Sequence, residues 1–179
     1  MANWILKFLG TTLLTHGLLI WAGPEIVMRK LDSDLEAAKV FSSECGERWV
    51  DGVFYINPSC LSNKQSARKP NPDFLYFFIP YDLSQGDLFV STPVPPDDRY
   101  WSIHTHNRNT DAFYKISNTE IEGDRFEFLI TRDKNNTAGI PVAYASSQKG
   151  IILNRLVMKD FSEYDKLDTF RRTTFIEYR

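Results

Sequence analysis

A chain of 179 residues with 21 Lys+Arg against 23 Asp+Glu carries a formal net charge of -2, so it holds no basic excess to neutralise phosphates, and nucleic acid is excluded as an expected partner. Aromatic residues reach 14%, with 9 Gly and 9 Pro spread along the chain as punctuation, a composition that suits short strands joined by turns. Without repeats or low-complexity tracts, this length accommodates one domain beside a membrane segment and not two.

The N-terminal stretch from Trp4 to Trp21 is apolar, with Lys7 near one end and no carboxylate before Glu25. As a helix it spans roughly 25 Å at about 1.5 Å per residue, close to the hydrocarbon thickness of about 30 Å, which puts both indoles where aromatic belts lie. Lys7 can snorkel to the headgroups, and Pro24 marks the exit. A cleaved secretory signal is the rival. Cleavage after Ala22 or Gly23 would leave Ile20 or Trp21 where a small residue is required, so an uncleaved anchor over 1–28 followed by a domain over 29–179 is the preferred reading. Within the span, Thr12, Thr15 and His16 share a helical face, and Gly10 and Gly17 lie a heptad apart. Small and polar residues at that depth are the material of helix packing in membranes, so these five are candidates for contact with a partner helix. Basic residues lie on both sides of the span, so their count does not orient it. Cys45 and Cys60 tilt the domain toward an oxidising compartment, where they can close a loop; two buried thiols are the alternative, and the sequence leaves both open.

Beyond the anchor, Asp32 or Ser33 can cap a short helix from Asp34 to Phe41. Strand-length runs follow at Val50–Asn57, Phe74–Asp82, Leu88–Pro93, Tyr100–Asn107, Ala112–Ser117, Phe126–Arg132, Val142–Ser146 and Ile151–Met158. Turn residues separate them, as at Ser84-Gln85-Gly86, Pro95-Pro96-Asp97-Asp98 and Glu122-Gly123-Asp124. This spacing predicts a mainly β protein, an antiparallel β sandwich of jelly-roll type. Phe161, Tyr164, Leu167, Phe170 and Thr174 recur every three to four residues, which predicts an amphipathic helix over Ser162–Tyr178.

Asn71-Pro72-Asp73-Phe74-Leu75-Tyr76, Tyr81-Asp82-Leu83-Ser84-Gln85-Gly86, Thr92-Pro93, Arg99-Tyr100-Trp101-Ser102-Ile103 and Asp111-Ala112-Phe113-Tyr114 together resemble the bacterial family catalogued as domain of unknown function 1254, in its short single-pass form. The resemblance covers nearly the whole chain. It implies a jelly-roll-like fold, an inner-membrane anchor, and partnership with proteins of the domain of unknown function 1214 family; it implies no reaction. Asp73, Asp82, Arg99 and Tyr100 fall in these motifs and are candidates to line a ligand pocket, although turn, capping and strand-start roles account for the same residues.

His104 and His106, two apart on a strand, point to one face and form a low-ranked candidate metal pair, with Asp111 or Glu120 as third ligand. The glycine and glutamate that a cupin would place around such a pair are replaced by Asp98 and Thr110. A pair of imidazoles hydrogen-bonded at a sheet surface is preferred, and no cofactor is expected. There is no Gly-x-Ser-x-Gly elbow, Cys-x-x-Cys pair or phosphate-binding glycine loop, so no catalytic residue is assigned. Two readings follow. One is a periplasmic accessory or assembly subunit of a membrane complex; the other is an anchored ligand-binding protein or metal-dependent enzyme with its pocket in the sandwich.

Overall fold

A computed structural model describes residues 2–40, 48–56, 71 and 73–179. Cys45 and Cys60, bonded or as two thiols, lie outside them. The chain opens on α1 (Ala2–Val40), a helix long and apolar enough to cross a membrane. The separate helix expected from Asp34 is corrected: α1 runs unbroken through Pro24 to Val40. A proline inside a helix removes one backbone hydrogen bond and crowds the preceding turn. Continuation is supported by the Glu25–Arg29 and Lys30–Asp34 pairs, at 3.0 and 3.1 Å, and by packing of the following turns on the domain.

The strands are β1 (Arg48–Val50), β2 (Val53–Ile56), β3 (Phe74–Asp82), β4 (Leu88–Pro93), β5 (Trp101–Asn107), β6 (Ala112–Ser117), β7 (Arg125–Thr131), β8 (Val142–Tyr144), β9 (Lys149–Val157) and β10 (Phe175–Tyr178), with α2 (Tyr164–Arg171) before the last. The expected single strand Val50–Asn57 is instead a β1–β2 hairpin. Its two-residue turn, Asp51 at φ 47° and Gly52 at φ 83°, has the left-handed geometry that Asp-Gly favours. At the C-terminus the expected helix Ser162–Tyr178 is confined to α2. Helical periodicity holds through Phe170, but from Phe175 the exposure alternates residue by residue, and β10 pairs with β4.

Two sheets face one core. The first has the order β1-β2-β3-β9-β5-β6 and is antiparallel throughout; the second, β10-β4-β7-β8, contains one parallel pair, β7 with β8. Leu75, Phe77 and Ile79 of β3, Trp101 and Ile103 of β5, and Phe128 and Ile130 of β7 are almost wholly buried between them. Burying each such side chain contributes about 1.5–3 kcal/mol. This is the expected β sandwich; the strand order alone does not make it a jelly roll, because β5 and β6 form a direct hairpin within one sheet.

The alternation of β3 positions everything that follows. Leu75, Phe77 and Ile79 point inward, yet the outward-facing Phe74, Tyr76 and Phe78 are apolar or aromatic as well. A strand apolar on both faces needs cover on both. On the outer face that cover is α1: Met28 and Leu35, at 3% and 5% exposure, close over Phe54 and Ile151, with Leu31, Trp49, Ile56 and Phe78 around them.

Candidate functional site

The junction of α1 with the six-stranded sheet is the most specific construction in the molecule. Met28 and Leu35 lie seven residues apart on α1, as do Glu25 and Asp32, so an apolar stripe and an acidic stripe run side by side. Arg108, in the β5–β6 turn, donates from Nε to Glu25 Oε1 at 3.1 Å and from Nη1 to Asp32 Oδ2. That turn is itself fastened: Asn107 Oδ1 accepts from Ser146 N at 3.0 Å and from Ser147 Oγ at 3.1 Å, and Arg108 N donates to Ser147 Oγ at 2.9 Å. At the other end of the contact, Trp49 Nε1 donates to Leu35 O at 3.1 Å. Close strand approach supports the arrangement. A Cβ on Gly150 would lie 2.1 Å from His106 O and 2.2 Å from the Tyr81 hydroxyl, so β9 passes β5 here only because Gly150 has no side chain.

Ahead of Glu25 the same helix has no cover. Leu6, Phe8, Leu13, Leu14, Leu18, Ile20 and Trp21 are all more than half exposed. Thr12, Thr15 and His16 are exposed with them, and no neighbouring group approaches Gly10 or Gly17 where a Cβ would stand. Thr15 Oγ1 donates to Thr11 O at 2.8 Å, which satisfies that hydroxyl within the helix. Among the described residues Thr12 and His16 have no hydrogen-bond partner, and they are the polar groups on this face still open to a second helix.

Asp73, Arg99 and Tyr100 meet at the Val157 end of β9, where Asp73 O accepts from Met158 N at 2.8 Å, Tyr100 O accepts from Val157 N at 2.9 Å and Arg99 Nη1 donates to Val157 O at 3.3 Å; Asp82 stands apart from them. Asp73 precedes β3 and Asp82 ends it, roughly 30 Å apart along the strand. Asp73 lies in the turn before β3, its backbone N donating to Asn71 Oδ1 at 3.0 Å. Asp82 Oδ1 accepts from Ser84 N at 3.0 Å and Ser84 Oγ at 2.7 Å, while its Oδ2 lies 3.0 Å from Lys149 Nζ. Those Ser84 bonds chiefly, with Lys149, hold its carboxyl down to about 2. Arg99 is 7% exposed and bidentate to both Asp97, at 2.6 Å, and Glu163, at 3.1 Å, which locks the β4–β5 loop to the segment before α2. Asp97 and Glu163 raise its already high pKa against the opposing effect of burial. Tyr100 packs its ring edge-on to Phe74 at 5.8 Å.

His104 and His106 point to the outer face of β5 with ring centroids 6.3 Å apart. His106 Nδ1 lies 3.1 Å from Thr110 O, and the two proposed third ligands are engaged locally: Asp111 Oδ2 accepts from Asn109 Nδ2 at 2.5 Å, and Glu120 Oε2 accepts from Ser117 N and Oγ at 3.0 Å. Among the described residues no three His, Cys, Asp or Glu side chains gather around a point that could hold a metal ion.

Two residues escaped the sequence reading. Arg108 could have been found from the paired seven-residue spacings of Glu25/Asp32 and Met28/Leu35, which require a cation and an apolar surface opposite. Arg171, 2% exposed, donates from Nη2 to Ile56 O at 2.9 Å and from Nε to Asp168 Oδ1 at 2.8 Å, and its guanidinium carbon sits 5.3 Å from the Tyr55 ring centroid. No sequence signal separates it from its neighbour Arg172.

Among solved structures, this chain is similar to the VPA0106 protein from Vibrio parahaemolyticus at 17% identity and a TM-score of 0.53, over 60% of this chain and 28% of that one. It is also similar to an uncharacterised protein from Burkholderia cenocepacia at 14% identity and a TM-score of 0.45, over 93% of this chain and 51% of that one. The chain thus spans about half or less of the length of either. The first likeness shows a shared fold alone. No curated protein matches. The family model described as "Protein of unknown function (DUF1254)" matches residues 53–177, and the chain belongs to that family.

Proposed function

We propose that the protein is a membrane-anchored accessory subunit, non-catalytic, whose N-terminal half-helix lies in the bacterial inner membrane against a helix of another subunit while the sandwich stands in the periplasm as a binding or stabilising module. The observation that carries the reading is the division of α1: its first half exposes a run of large apolar side chains, whereas Met28 and Leu35 in its second half are buried against the domain. A flexible tether would not be clamped by Arg108 at one end and Trp49 at the other. The partner is another membrane subunit, and a protein of the domain of unknown function 1214 family is the first to look for.

The test is co-purification in mild detergent with Thr12, Thr15 and His16 all replaced by Leu, which keeps the segment apolar and preserves insertion. Loss of interhelical contacts weakens association by about 0.6–2 kcal/mol per hydrogen bond. Because Thr15 already bonds within its own helix, most of the loss is expected from Thr12 and His16. A Thr11→Leu control, whose face points elsewhere, should recover partners at the native level. Equal recovery from both variants would reduce the anchor to a tether.

A further inference from the structure

Buried and half-buried guanidiniums in this protein meet carboxylates: Arg99 meets Asp97 at 2.6 Å, Arg108 meets Glu25 at 3.1 Å, and Arg171 meets Asp168 at 2.8 Å. Arg155 departs from this pattern. It is half-buried on β9, and among the described residues no acceptor reaches it. Across the sheet it stands opposite Tyr76 of β3 on one side and Ser102 of β5 on the other; Ser102 in turn stands opposite Ser117, and His104 opposite Lys115. Paired positions and alternate positions along a strand share a face, so Arg155, Ser102, His104 and Lys115 lie together on the outer face, beyond the part that α1 covers.

Ser102 supplies an independent observation. It is 1% exposed, and among the described residues its Oγ has no hydrogen-bond partner. Native sheets rarely leave a buried hydroxyl unpaired, and one held beside an unpaired guanidinium marks a place built for a group that accepts from both. The charged groups that act on His104 are basic: burial, and then Arg155, His106 and Lys115, hold its imidazole below its usual range. Glu120 is the carboxylate at the β6 border, and its Oε2 is occupied by Ser117 N and Oγ.

We infer that this face binds a soluble oxyanion, the phosphate or carboxylate group of a small molecule, with Arg155 as the two-pronged donor, Ser102 Oγ as the buried donor, and Lys115 and His104 at the margin. A guanidinium fork matches two oxygens of such a group. A soluble source is favoured over a lipid headgroup by position. Ser102 lies roughly 17 Å along β5 from the turn that ties the domain to Glu25, while a headgroup layer is only about 6 Å deep. The site does not depend on the accessory-subunit reading.

The test is calorimetric titration of inorganic phosphate into the full chain in zwitterionic nanodiscs. Saturable binding is expected, weakened about tenfold or more by Arg155→Gln and by a smaller factor by Ser102→Ala and by Lys115→Gln. Lys134→Gln, in the β7–β8 loop, should leave it unchanged, and thermal unfolding of each variant reports whether the fold is kept. If Arg155→Gln fails to fold, the two milder variants decide. Absence of saturable binding, equal binding by all variants, or equal weakening by Lys134→Gln (an adventitious ion only) overturns the inference. So does competition by anionic lipid in the nanodisc, which would assign the site to headgroups.

Discussion

Arg171 is a cation in the interior, and its cost is met by the carbonyl of Ile56, the carboxylate of Asp168 and the face of Tyr55. Burial dominates and lowers its pKa, with Asp168 opposing. Replacing it by Met leaves the Ile56 carbonyl without this donor and Asp168 with Arg172 alone, so denaturant unfolding in detergent should show a loss of about 3 kcal/mol. A change within experimental error would mean that the cluster is dispensable. Asp82 gives the pH dependence. Its folded carboxyl titrates at about 2, below the ordinary carboxylate value of 3.8, so it contributes stability that is present above that value and lost as pH falls toward 2. Asp82→Asn should therefore melt lower than the native chain at neutral pH, with the gap closing by about pH 2. A gap of constant size would show that Asp82 acts through its turn geometry and not its charge. The Asp82-Leu83-Ser84-Gln85-Gly86 motif made that turn legible from sequence, because Asp and Ser side chains cap their own backbone locally. Arg171 was illegible for the opposite reason: Asp168 is local, but the Tyr76 and Ile56 carbonyls that bury it lie more than ninety positions away in the chain.

At the level of elements, runs bounded by turn residues were read correctly, as β3, β4 and β6 show. The misreadings share a cause: local pattern was extended past a position where tertiary pairing takes over. Val50–Asn57 was carried through Asp51-Gly52, although that dipeptide is a hairpin turn in its own right. The terminal helix was carried past Thr173-Thr174 into a strand that β4 recruits. The helix expected from Asp34 is not a separate element, because packing on the sheet carries α1 past Pro24 to Val40. The hairpin turn yields a sharp prediction. Gly52 sits at φ 83°, and a Cβ there would lie 2.7 Å from Ile176 Cδ1 of β10. Gly52→Ala should destabilise by about 1–2 kcal/mol from backbone strain and contact together. Adding Ile176→Val removes the contact and should restore only part of the loss. Full restoration would place the whole effect in the contact, and no initial loss would show that the turn adapts freely.

At the scale of the whole molecule, a single helix serves two environments. Residues 4–21 present apolar side chains outward, and from Glu25 onward the same helix becomes the outer cover of the six-stranded sheet. In the proposed reading, a rigid junction of this kind fixes the height and tilt of the sandwich above the membrane, as a module that meets neighbouring subunits requires. The anchor was legible from hydropathy and its flanking indoles. The junction was not, because it depends on Arg108 reaching back across the fold to Glu25 and Asp32. The account stands or falls on whether the first half of α1 stays attached to the second. Intact-mass analysis of the chain extracted from carbonate-washed membranes should return a protein that retains residues 4–21 and stays with the bilayer. A chain beginning at Gly23 or Pro24, or one released by the wash, would contradict it.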